Sequence, residues 1–116
     1  MAYNYHEAVK DDIREYIRGQ YGTVTEKMRA VIFDNILRDD SVTGDASGSY
    51  TMNCAVAKEY VIENIDLLKE AADECCYDEG EIGADFLREC WEYFDVLIRC
   101  HLVGKYFNDI FSEFLP

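Results

Sequence analysis

Apolar residues recur at intervals of three and four along most of this chain, the spacing that places them on one face of an α-helix. Two capping-box patterns, Asn4 with Glu7 and Thr23 with Glu26, predict where the first two helices begin. No segment shows the sustained alternation of a β-strand. Because 116 residues are too few for two independent cores, we predict one all-α domain, residues 1–116, a bundle of about five helices.

The predicted helices are separated by segments rich in turn-forming residues. They cover about residues 4–19, 23–38, 53–75, 84–94 and 95–114. Residues 39–52 are rich in Gly, Ser, Thr and Asp, which favour turns over regular structure, so they predict one ordered loop. Asp95 is the expected N-cap of the last helix.

The charge of the chain is both large and local. There are 24 acids against 11 bases, a net charge of −13. Residues 59–95 hold thirteen of the acids against only Lys69 and Arg88, a net of −11. A surface this acidic repels nucleic acids and anionic membranes and attracts basic proteins. We therefore expect a basic protein partner, and neither direct nucleic-acid binding nor membrane association.

Placing the third predicted helix on a helical wheel concentrates the acids on one side. Six of them fall within a sector about 100° wide and about 22 Å long, opposite an apolar face. These six are Glu59, Glu63, Asp66, Glu70, Asp73 and Glu74. The expected partner-binding surface continues through Asp78, Glu79, Glu81, Asp85, Glu89 and Glu92. Such a row of carboxylates can occupy a groove built for a nucleic-acid backbone, but a merely solvated helix face would have the same pattern.

No catalytic, metal or cofactor site is expected. The two histidines, His6 and His101, lack the spacing of a zinc site, and His101 lies within an apolar run typical of a packed side chain. Residues 39–50 resemble a calcium loop at their first positions, but Tyr50 stands where a bidentate carboxylate is needed. The five cysteines include the adjacent pair Cys75–Cys76, which favours reduced thiols. With no secretion signal and no long apolar segment, we expect a cytoplasmic protein that is not an enzyme.

Three stretches of the chain, Asp40–Asn53, Ala57–Leu68 and Asp95–Cys100, resemble a family of small acidic proteins carried by phages, plasmids and conjugative elements of gut Firmicutes. The resemblance covers about residues 34–104. The family is a domain of unknown function, so the resemblance implies no catalytic residues. It implies a mobile-element setting, in which small acidic proteins include anti-restriction and anti-CRISPR inhibitors.

These observations support two interpretations of function. The first is a non-enzymatic inhibitor in the bacterial host cytoplasm. It would act as a DNA mimic on a basic, nucleic-acid-binding defence protein, either a CRISPR effector or a restriction enzyme. The second is a structural or regulatory interaction module, expected to be a homodimer, whose interface is an apolar patch of the aromatic-rich last helix.

Overall fold

The computed structural model describes residues 3–43, 54–74 and 91–116. This part of the chain contains six α-helices, one 3-10 helix and no strand, which confirms the all-α prediction. The 3-10 helix is Glu26–Met28, and the α-helices are α1 (Tyr5–Gln20), α2 (Arg29–Leu37), α3 (Asp40–Thr43), α4 (Cys54–Glu63), α5 (Ile65–Glu74) and α6 (Trp91–Glu113).

Helix α6 is the centre of the bundle and packs against each of the five other α-helices in the described part of the chain. Its 23 residues present a continuous apolar face, because large side chains recur along it at helical spacing. The buried members of this face are Phe94, Leu97, Ile98, Leu102, Val103, Phe107, Ile110 and Phe111. Neither α6 nor another helix in the described ranges is long and apolar enough to span a bilayer.

Helix α1 begins and ends where the sequence predicts. The Asn4 side chain accepts a hydrogen bond from the Glu7 backbone N–H at 3.2 Å, which caps the first turn. At the other end Gly22 adopts a φ of 78°, and its N–H donates to the carbonyl of Ile17 at 2.9 Å. One face of the helix is fully buried, with Tyr5, Val9, Ile13 and Ile17 at 0 % exposure.

The start of the second helix differs from the prediction. Thr25, rather than Thr23, is the N-cap, and it precedes a 3-10 turn that leads into α2. Val24 lies before the helix, where it is buried and its N–H donates to the carbonyl of Phe114 at 3.2 Å. This bond holds the connection against the end of α6, and a local capping pattern does not reveal it.

The third predicted helix is interrupted at Asn64, so the prediction of one continuous helix is wrong. The Asn64 side-chain amide donates to the carbonyl of Tyr60, four residues earlier, at 2.9 Å. The Asn64 backbone N–H donates instead to Val61 at 3.1 Å, so the chain turns more tightly here than in an α-helix. Helices α4 and α5 are therefore two short segments and not one straight rod.

The predicted boundary between the last two helices is also wrong. Trp91 to Glu113 form the single helix α6, with Asp95 inside its second turn and not at an N-cap. Asp95 is buried and accepts hydrogen bonds from Arg99, one turn later in α6, and from Tyr5 of α1. The earlier part of the predicted fourth helix, residues 84–90, lies outside the described residues.

The predicted loop over residues 39–52 begins as a helical turn. The Asp39 carboxylate accepts hydrogen bonds from the N–H and the hydroxyl of Ser41, and Thr43 Oγ1 donates to the Asp39 carbonyl at 3.0 Å. Asp39, Ser41 and Thr43, the first three ligands of the calcium-loop pattern, thus form hydrogen bonds with one another at the start of α3. Val42 and Thr43 are buried, which explains why this turn packs onto the bundle. Residues 44–52 of the predicted loop lie outside the described residues.

Candidate interaction surface

Five of the predicted site residues form an exposed acidic face on two consecutive helices. We define the acidic ridge as Glu59, Glu63, Asp66, Glu70 and Asp73 of α4 and α5, all of which are exposed. The opposite faces of the two helices are buried, through Val61, Leu67, Leu68, Ala71 and Ala72. The 3–4 spacing of the acids therefore places them opposite the core, despite the interruption at Asn64.

The remaining predicted site residues are not placed by this structure. The backbones of Glu74 and Glu92 belong to α5 and α6, but their side chains lie outside the described part of the chain. The others, Asp78, Glu79, Glu81, Asp85 and Glu89, fall in residues 75–90, which are also outside it.

The carboxylates of the ridge differ in whether they form hydrogen bonds or ion pairs with other residues of the protein. Glu63 accepts a hydrogen bond from the Tyr3 backbone N–H at 2.9 Å. Glu70 lies 2.8 Å from the His101 ring and 3.8 Å from Lys105 Nζ. The hydrogen bond to His101, aided by the charge of Lys105, lowers the pKa of Glu70. Glu59, Asp66 and Asp73 form no hydrogen bond or ion pair with any described residue, so their charge faces solvent.

The N-terminal segment holds the interruption of the ridge in place. The carbonyl of Tyr3 accepts a second hydrogen bond of the Asn64 side-chain amide at 2.9 Å. The rings of Tyr3 and Tyr60 are stacked, with centroids 3.8 Å apart and planes 4° from parallel. We call this set of contacts among Tyr3, Tyr60, Glu63 and Asn64 the N-terminal clasp. It fixes the end of α4 relative to the start of α5, and sequence reasoning gave no sign of it.

A buried ionic network connects the clasp to the core. Arg99 and Asp95 form an ion pair at 3.1 Å, with side chains only 1 % and 2 % exposed. The Tyr5 hydroxyl donates to Asp95 at 2.5 Å, and Arg99 donates to the Tyr3 hydroxyl at 3.3 Å. Burial, reinforced by the Asp95 carboxylate, raises the pKa of the Tyr5 hydroxyl far above its usual value. The network thus joins α1, α6 and the N-terminal segment with each charge satisfied.

Asp12 lies at the edge of this network on α1. Its carboxylate is 4.0 Å from the Arg99 guanidinium. Burial raises the pKa of Asp12 to about 6, because the favourable charge of Arg99 only partly offsets the cost of removing the carboxylate from water.

Both histidines lie close to the ridge. The His6 ring is 2.5 Å from the Tyr106 hydroxyl, and His101 is packed with its side chain 9 % exposed, as its apolar neighbours predict. Burial, and then the charge of Lys105, lowers the pKa of His6. A pocket of about 350 Å³ lies beside His6 and is bordered by Glu63, Asp66 and Glu70. No cluster of three potential metal ligands occurs among the described residues.

One apolar side chain accompanies the acidic ridge. Ile62 is 53 % exposed on α4, between Glu59 and Glu63 in sequence and displaced to one side of them around the helix. Lys69 occupies the equivalent position seven residues later and is also exposed. The ridge therefore presents carboxylates along its centre and an apolar group and a cation along one flank.

Comparisons with known proteins assign no function to this chain, so the proposal below depends on the geometry of the acidic ridge. The family resemblance of the sequence, and the setting it implies, stay expectations. Searches against protein-family models, curated proteins and solved structures find no match to this chain.

Proposed function

We propose that this protein is a non-enzymatic inhibitor that binds a basic, nucleic-acid-binding defence protein and occupies its nucleic-acid groove with the acidic ridge. The observation that carries the proposal is the exposure of five carboxylates on one face of α4 and α5. Three of them, Glu59, Asp66 and Asp73, have no hydrogen-bond or ion-pair partner within the described residues, which leaves their carboxylates available to a binding partner.

The spacing of the ridge supports mimicry of a nucleic-acid backbone. Successive carboxylates are three or four residues apart, which is about 4.5–6 Å along a helix axis and of the same order as the separation of phosphates along a strand. A lysine- and arginine-lined groove that meets this row gains the same electrostatic steering and counterion release as it gains from nucleic acid.

The cost of the arrangement also favours a binding role. Like charges at i,i+4 destabilise a helix by a few tenths of a kcal/mol per pair, and only two ridge carboxylates recover part of this through bonds to described residues. The N-terminal clasp holds the two halves of the ridge in a fixed arrangement, which reduces the ordering cost on binding.

The identity of the target follows from the mobile-element setting that the sequence resemblance implies. A CRISPR effector or a restriction enzyme has a strongly basic groove for nucleic acid, and a ridge of this charge is complementary to either. The inhibitor requires no catalytic group of its own, since occupancy of the groove is sufficient to exclude the nucleic acid.

The test compares two triple variants that change the net charge equally. In the first, Glu59, Asp66 and Asp73 are replaced by Lys, which avoids the ridge residues that the fold uses. The matched control replaces Asp11, Glu15 and Asp109 by Lys, because these acids are exposed on α1 and α6. Circular dichroism confirms that both variants remain helical before binding is measured.

The immobilised protein is then used to capture basic proteins from lysates of gut Firmicutes, and the captured protein is challenged with duplex DNA and with RNA. We expect capture by the wild-type chain and by the control, release by nucleic acid, and weaker binding at higher salt. Capture that persists with the ridge variant, or that nucleic acid fails to compete, would contradict the proposal.

A further inference from the structure

A second exposed surface lies on α2 and the 3-10 turn before it. It shares no helix with the acidic ridge, which lies on α4 and α5. Its residues are Lys27, Ala30, Val31 and Asp34, all exposed. The 3–4 spacing of these positions places them on one face. Val31 is 59 % exposed, and Ile62, which flanks the acidic ridge, is 53 % exposed. The two most exposed large apolar side chains of the described residues therefore lie on different helices, α2 and α4.

The order of residues on this face is self-complementary. Positions 27 and 34 are equidistant from the midpoint between positions 30 and 31. A two-fold axis through that midpoint would place Lys27 of one copy against Asp34 of the other, and Ala30 against Val31. An isologous interface needs this kind of pattern, in which residue i contacts residue j and residue j contacts residue i.

We propose that this face is the interface of a homodimer, in which α2 of a second copy packs antiparallel across α2 of the first. The occupant is a copy of this chain, because the face carries its own complement: a cation at one end, a carboxylate at the other, and a small and an apolar residue between them. Neither Lys27 nor Asp34 forms an ion pair with a described residue, so both are available to the second copy.

A groove beside the face receives the partner's Val31. It has a volume of about 450 Å³ between α2 and α6, with Ala30, Phe33, Gly104 and Phe107 among its lining residues. Gly104 lies in the interior of α6, where glycine costs about 1 kcal/mol relative to alanine. No atom lies within 4 Å of the position where its Cβ would stand, so packing within the described chain does not require a glycine there. A closely approaching partner does require one.

The charge of the groove is compatible with a strongly acidic second copy. Among the described residues, the pocket beside the acidic ridge is bordered by three carboxylates, whereas the rim of this groove carries Lys27 and Arg29 with Glu26 as the only acid. The proposed dimer interface uses α2 and the groove between α2 and α6, and none of its contacts involves α4 or α5, which carry the acidic ridge. The inference is therefore independent of the proposed function.

The test is the association state of the whole chain, measured by sedimentation equilibrium from about 1 μM to about 1 mM. We expect a monomer–dimer equilibrium that strengthens with salt, because salt screens the repulsion between two chains of net charge −13. This response is opposite to that of target binding by the ridge, so failure of one proposal is distinguishable from failure of the other.

Two charge reversals and their combination test the pairing directly. Lys27→Glu makes each copy more acidic, whereas Asp34→Lys makes it less acidic, so a general charge effect would change dimerisation in opposite directions. The antiparallel pairing requires both single variants to weaken the dimer, by about tenfold, since each places two like-charged pairs in the interface. The double variant Lys27→Glu/Asp34→Lys restores the pairing and should return the dissociation constant to near the wild-type value.

Gly104→Leu is an additional variant that fills the groove and should weaken the dimer while the helical circular dichroism is retained. Glu59→Lys, on the ridge, is the control that should not weaken it. A chain that stays monomeric up to the highest concentration would overturn the proposal and leave the face to a different protein. Single reversals that move dimerisation in opposite directions, or a double variant without recovery, would overturn it equally.

Discussion

Arg99 and Asp95, one turn apart on α6, form an ion pair at 3.1 Å that is almost completely removed from solvent. Each charge has further partners, Tyr5 for the carboxylate and Tyr3 for the guanidinium. A buried ion pair of this kind contributes little net stability compared with apolar residues, but removal of one partner leaves an uncompensated buried charge. The pair therefore determines which arrangements of α1 and α6 are permitted.

We expect Arg99→Met to lower the free energy of unfolding by about 3–5 kcal/mol, because Asp95 would remain buried without its cation. The double variant Arg99→Met/Asp95→Leu should recover much of this loss, since no charge is then buried. Urea denaturation followed by circular dichroism measures both. A single variant that costs less than about 1 kcal/mol would show that the carboxylate has another source of compensation.

Asp12 gives the stability a specific dependence on pH. Its pKa of about 6 in the folded state is above the ordinary value of 3.8, so between these values the folded chain binds more protons than the unfolded chain. The contribution of Asp12 is therefore most favourable below about pH 4 and is lost as the pH rises through 6. With allowance for partial exposure, we expect about 1–2 kcal/mol.

Asp12→Asn removes this titration. The free energy of unfolding of this variant, relative to that of the wild-type chain, should increase between pH 4 and pH 7 and stay constant at higher pH. Urea denaturation across this pH range gives the difference, and carbon-13 NMR of the Asp12 carboxyl gives the midpoint. A difference between the two proteins that does not vary with pH would contradict the assignment.

The N-terminal clasp should contribute measurably to the stability of the fold, through the hydrogen bonds of Asn64. Replacement of Asn64 by Ala removes the bonds to Tyr3 and Tyr60, and we expect a loss of about 1–2 kcal/mol, at about 0.5–1.5 kcal/mol per hydrogen bond. Amide hydrogen exchange should become faster at Tyr3, whose N–H donates to the Glu63 carboxylate, and at Glu63, because the clasp connects these two segments. Asn35→Ala is a suitable control, since Asn35 is exposed and its side chain makes one surface hydrogen bond, to Tyr21.

Two glycines should respond to alanine in opposite ways. Gly104→Ala should stabilise the monomer by about 0.5–1 kcal/mol, because it raises helix propensity where the added methyl group meets no atom within 4 Å. Gly22→Ala should destabilise it by about 1 kcal/mol or more, because the φ of 78° is unfavourable for an L-residue. Thermal unfolding at low protein concentration, where a dimer would dissociate, is the appropriate measurement.

If the ridge binds as proposed, a substitution at Ile62 tests whether the partner makes a specific apolar contact in addition to the general attraction between charges. Ile62→Ser should weaken target binding by about tenfold without changing its salt dependence, as expected for loss of an apolar anchor. Glu59→Gln should weaken binding and also make it less dependent on salt. The comparison requires only affinity measurements at several salt concentrations, and equal salt slopes for the two variants would contradict the distinction.

The sequence was sufficient for features that depend on neighbouring residues. The cap at Asn4, the end of α1 at Gly22 and the apolar face of α6 follow from local patterns, as does the exposure of the ridge acids opposite the core. The role of those acids in binding stays a prediction. What the sequence did not reveal depends on residues far apart in the chain. Asn64 interrupts its helix with support from Tyr3, 61 positions away, and Asp95 is buried because Tyr5 reaches it from 90 positions away.

The same long separations have a consequence for synthesis of the chain. Tyr5 contacts Asp95, His6 contacts Tyr106 and Arg14 contacts Glu113, so α1 has its main partner about 90–100 residues later. At about 5–20 residues per second, a ribosome takes roughly 5–20 s to make this interval. During that time the buried face of α1 has no α6 to cover it, so this bundle should complete its fold only after α6 has been made, and chaperones should encounter α1 first.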